Sequence, residues 1–64
     1  MRLRITNRHT QAVNVVVEPW ADERELHVDQ HLVLDLKGEG ETEIVWAGKY
    51  ISIFLDQTMS YELR

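Results

Sequence analysis

Apolar side chains recur at every second position over most of this chain. The sets are Met1, Leu3 and Ile5; Val13, Val15 and Val17; Leu32, Leu34 and Leu36; Ile44 and Trp46; and Ile51, Ile53 and Leu55. Successive side chains on an extended backbone point to opposite faces, so each run offers one oily face and one polar face. No long stretch holds a helical period. Short segments rich in Asn, Asp, Gly or Pro separate the runs, and these residue types favour turns. The spacing predicts about seven short strands, over residues 1–6, 12–18, 25–28, 32–37, 42–46, 50–55 and 59–63. Strands this short and this regularly spaced predict an all-β chain, either a small antiparallel β-sandwich or a curved barrel.

The predicted core is the in-phase set: Leu3, Ile5, Val13, Val15, Val17, Leu32, Leu34, Leu36, Ile44, Trp46, Ile51, Ile53 and Leu55. The first and last strands are expected to be sheet edges or each other's partners. Pro19 ends the second strand, because proline has no amide hydrogen for the ladder.

Residues 1–64 form one β domain on this reading. A chain of this size buries only about 60% of the surface it exposes when unfolded. Small domains often compensate with disulfides, metals or partners. With no cysteine, disulfides and thiolate metal sites are excluded, which leaves good packing, a homo-oligomer or another protein as the expected support. The formal net charge is −4, which disfavours nucleic acid as a partner. Arg2, Arg4 and Arg8 gather near the start, and acids dominate from Asp22 to Glu43. No run approaches the roughly 18 apolar residues of a membrane span. No secretory signal pattern is present, and a cytoplasmic location is the default expectation.

Chemistry-bearing patterns are sparse. His27, Asp29 and His31 could hold a metal only if a tight turn folded them together. On a straight strand the two imidazoles would stand about 13 Å apart, too far for shared metal ligation. No cofactor is expected. The serines and threonines sit in no nucleophile-elbow motif, and Gly38-Glu39-Gly40 puts an acid where a phosphate cradle would need none. The expectation is therefore a non-enzyme with no catalytic residues. Trp20, Tyr50 and Tyr61 form a second reading, since exposed aromatics beside carboxylates suit a carbohydrate.

Val16, Val33, Val45 and Phe54 are out of phase with the predicted core, and Tyr50 shares the phase of Phe54. A small domain has difficulty covering both faces of its sheets, so these residues, with Arg2 and Arg4 on the first strand, are candidates for partner contact.

The run Val15-Val16-Val17-Glu18-Pro19-Trp20, followed by Leu32-x-Leu34-x-Leu36 and Gly38-x-Gly40, resembles small uncharacterised bacterial β-sandwich proteins. Residues 13–55 are also loosely similar to cupredoxin-like and immunoglobulin-like sandwich domains. The resemblance implies a sandwich and no activity, and the copper ligands of a cupredoxin are missing. The sequence expectation for function is a non-catalytic protein-interaction module that self-associates or docks on a partner through strand edges and the off-phase apolar face.

Overall fold

The computed structural model describes residues 1–64 as seven strands without a helix. They are β1 (Arg2–Thr6), β2 (Val13–Glu18), β3 (Asp22–Leu26), β4 (His31–Lys37), β5 (Thr42–Ala47), β6 (Tyr50–Leu55) and β7 (Ser60–Leu63). They form two sheets, one in the order β1-β4-β7 and one in the order β3-β2-β6-β5. The sheets do not close on each other, so the fold is a sandwich and not a barrel. All pairings are antiparallel except β2 with β6, which run parallel.

Alternation does what the sequence predicts in β2 and β4. Val13, Val15 and Val17 are buried while Asn14, Val16 and Glu18 are half-buried on the other face. Leu32, Leu34 and Leu36 are buried between β1 and β7. Ile53 and Leu55 complete the facing layer, and Leu3, Ile5 and Ile51 pack against it half-buried. Leu26 and Met59, outside the predicted core, are buried in it. The third strand begins three residues earlier than the pattern suggests, and it is Leu26, opposite Val13, that turns inward while Val28 is exposed.

Only two connections are local hairpins. The β5–β6 hairpin turns at Gly48 and Lys49; Gly48 has φ of +60° and Lys49 does not have a positive φ, the backbone of a type II′ turn. The Gly38-Glu39-Gly40 segment joins no neighbours in one sheet. It carries the chain from β4 to β5, across the sandwich. Gly40 has φ of +156°, and a Cβ there would lie 2.6 Å from Cβ of Asp56, so the crossing needs glycine. The first and last strands are both edges, flanking β4, and do not pair with each other.

Three strands cannot cover four. The Tyr61 hydroxyl of β7 donates to the Asp22 carboxylate of β3 at 2.8 Å, which sets β7 over the β3 side. The end of β1 lies near Ile51 and Trp46. The uncovered strand is therefore β5. Ile44 and Trp46, predicted to be core, are 51% and 67% exposed. They do point to the inner face, opposite Ile53 and Ile51, but only the end of β1 and the loop after it approach Trp46, and the two side chains remain mostly exposed.

Candidate interaction surface

β5 has solvent on three sides. Its inner face carries Ile44 and Trp46, its outer face carries Glu43, Val45 and Ala47, and no strand pairs with its free edge. The indole N–H of Trp46 donates to the Gly48 carbonyl at 2.9 Å, which holds the ring beside the hairpin turn. Trp46, Val13 and Ile51 form the apolar part of a cleft of about 350 Å³, rimmed by Thr6, Asn7, Arg8 and His9. This cleft is the open end of the gap between the sheets.

The outer face of the four-stranded sheet unites most of the off-phase residues. The registers put Val16, Ser52 and Val45 in one row across it, with Phe54 and Tyr50 to either side. Val45, Tyr50 and Phe54 are exposed, and Val16 is half-buried. Glu18, Glu23, Glu25 and Glu43 share this face, so the apolar row lies in an acidic surround. Val33 does not belong to it. Val33 lies on the outer face of the other sheet, opposite Arg4. The phase of a residue reveals its face, but not which sheet its strand joins.

Arg2 and Arg4 also lie on that other sheet. Arg2 makes a two-pronged contact with Asp35 at 2.7 and 3.3 Å, and Arg64, just past the end of β7, reaches the same carboxylate at 2.7 Å from the other side of β4. Arg2 is thus engaged within its own sheet. Arg4 meets only the His31 imidazole, at 3.4 Å, and has no carboxylate partner.

The histidine pattern does not converge. Residues 27–30 do make a tight turn, closed by the Gln30 N–H donating to the His27 carbonyl, with Asp29 at φ of +64°. Each candidate ligand nevertheless turns to a different neighbour: His27 to Glu25, Asp29 to Arg8 and His31 to Arg4. No group of three or more His, Asp or Glu side chains is close enough to hold a metal ion. The aromatics are likewise divided. Trp20 and Tyr61 pack with rings tilted by 46° and centroids 5.1 Å apart, and Tyr50 sits at the opposite end of the sheet, where β6 begins. Trp20 does not line the cleft; Trp46 does.

Several carboxyls are held below their ordinary range. The Arg2 hydrogen bond does this for Asp35, with the charges of Arg2 and Arg64 adding to it. The Tyr61 hydroxyl does it for Asp22, and the Thr58 backbone N–H followed by its hydroxyl for Asp56. Burial, then the Asp22 carboxylate, pushes the Tyr61 phenol up. A depressed carboxyl in the folded state means that the unfolded chain takes up protons first as the pH falls. Stability should therefore hold at neutral pH and drop once the pH falls below about 4. For Tyr61 the sign reverses: its contribution is present below about pH 10 and lost as the pH rises through the raised value. Urea midpoints across the acid range check the first effect. Asp35→Asn should be less stable at neutral pH and less sensitive to acid.

Scans against protein-family models, curated proteins and solved structures returned no match. No helix is long and apolar enough to cross a membrane.

Proposed function

We propose that this protein is a non-catalytic interaction module that receives an extended protein segment on the free edge of β5. The observation that carries the reading is the exposure of this strand on both faces and along its edge. An edge strand offers unpaired amides and carbonyls, and an added strand satisfies them while alternate side chains find apolar neighbours. Here those neighbours are Ile44 and Trp46 on one face and Val45, Tyr50 and Phe54 on the other. Exposed edges in soluble proteins are usually blunted by proline, lysine or a bulge. β5 carries none of these protections, and its one charge is Glu43.

Panning a display library of extended peptides against the protein tests the reading. Selected peptides, titrated into isotope-labelled chain, should shift the amides of Ile44, Trp46 and their neighbours. Ile44→Pro, which removes one amide donor, should abolish those shifts. Binding that maps to β1, β3 or β7, or a library that yields no binder at a concentration where the chain is monomeric, would overturn it.

A further inference from the structure

We infer that the occupant of the β5 edge is a second copy of this chain, paired antiparallel with the first about a two-fold axis through Val45. The inference rests on β5 being the contact strand and adds the identity of its partner.

The backbone sets the available contacts. Ala47 and Tyr50 flank a two-residue turn and so form a hydrogen-bonded pair. Hydrogen-bonded and non-bonded pairs alternate along an antiparallel ladder. The amides and carbonyls of Glu43, Val45 and Ala47 therefore serve β6, and those of Thr42, Ile44 and Trp46 face the free edge. Two copies related by an axis perpendicular to the sheet bring these outward groups together. Such an interface is isologous and closes at two copies.

Side chains choose the register. Centring on Val45 places Ile44 opposite the partner's Trp46 on the inner face, and Val45 opposite the partner's Val45 on the outer face. Glu43 then faces only the partner's Ala47. The Lys49 turn of each copy comes alongside Glu41 of the other, giving two opposite-charge contacts, and no like charges face each other. Lys49 has no carboxylate partner within its own chain. Centring on Ile44 keeps the same overlap but sets Glu43 against Val45 and Glu41 against Ala47, so the Val45 register is the better match.

The axis also keeps both inner faces on one side. The four-stranded sheets join into one continuous sheet, and the two three-stranded sheets cover it from the same side, separated by a trough over the paired β5 strands. Ile44 and Trp46 from each copy are the side chains that fill this trough. The accessible surface of one chain is 4443 Å². A folded monomer of this mass is expected to expose about 4,300 Å², so the single chain is a finished fold and pairing is an addition to it.

The natural chain has no cysteine, which makes a single introduced one diagnostic. Val45 would face itself in a non-hydrogen-bonded pair with Cα atoms about 4.5 Å apart, within disulfide range. Val45→Cys should oxidise to a covalent dimer, and Phe54→Cys on the same outer face should not. Light scattering of the unmodified protein over a dilution series should reach twice the 7.6 kDa chain mass and no more. Lys49→Glu and Glu41→Lys should each weaken the dimer by about tenfold, and the double variant should recover it. A monomer at every concentration with no Val45→Cys cross-link overturns the inference. So does cross-linking through Ile44→Cys in its place, or growth beyond a dimer. If peptides still bind at β5 in a chain that stays monomeric, the docking reading survives and only the identity of the partner fails.

Discussion

Leu34→Ala should lower the unfolding free energy by about 3–4 kcal/mol, as truncating a fully buried leucine does when the cavity cannot collapse. Leu34 has 0% exposure and lies on β4, the central strand of its sheet, with β1 on one side and β7 on the other. Neither neighbour can move inward without breaking its own ladder, so the void stays open. A domain of this length has a stability of about 3–10 kcal/mol, and the loss is a large share of it. Trp46→Ser, by contrast, should change the stability of the single chain, measured at concentrations low enough to keep it monomeric, by less than about 1 kcal/mol, because the indole there is 67% exposed. Urea unfolding followed by circular dichroism measures both. A large loss at Trp46 in the monomer would mean that the facing sheet of the same chain covers β5 after all.

Asn7→Ala should cost about 2–4 kcal/mol, more than its position in a loop suggests. Asn7 is 3% exposed, the one polar residue among the buried set. Its amide N–H₂ donates to the carbonyls of Gln11 at 2.9 Å and Leu26 at 3.0 Å, and its side-chain oxygen accepts from the His9 N–H at 2.8 Å. Its backbone bonds Gln30 and Asp29 as well. The side chain thus ties the β1–β2 loop to the end of β3, and the backbone of the same residue ties it to the turn that follows. Alanine would strand the buried Leu26 carbonyl, which then carries its full desolvation penalty, and would remove the part-buried bonds to the Gln11 carbonyl and the His9 amide. Asn7→Asp is the sharper variant. A carboxylate there would face two carbonyls and be driven to take up a proton, so its stability should rise as the pH falls through that raised pKa. The unmodified protein should be unchanged between pH 7 and pH 5, because its own loss sets in only below about pH 4. Urea midpoints at pH 7 and pH 5 separate the two.

The candidate surface was partly legible in the residues. Val45, Tyr50 and Phe54 stand out of phase with the core, and they are exposed on one face of the four-stranded sheet. Val33 has the same signature but belongs to the other sheet, because phase carries no information about pairing. Ile44 and Trp46 were hidden by their regularity. Their alternation with Val45 looks like any core strand, and nothing local to β5 says that the facing sheet is one strand short. Asn7 reads as a turn residue, which it is; its burial depends on Leu26, nineteen positions away.

The local pattern of alternation and turn residues was enough to specify an all-strand chain, the approximate extent of most strands and the inward side of β2, β4 and β6. Those properties follow from the pleat, which each short segment expresses alone. Strand order, the parallel β2–β6 pair, the crossing at Gly38 to Glu41 and the three-over-four stacking came from contacts between segments far apart in the chain. They depend on which hydrophobic faces meet and in what number, and a face can be oily without having a cover. That is why Trp46, indistinguishable by period from a core residue, stands in solvent at the edge of the sheet.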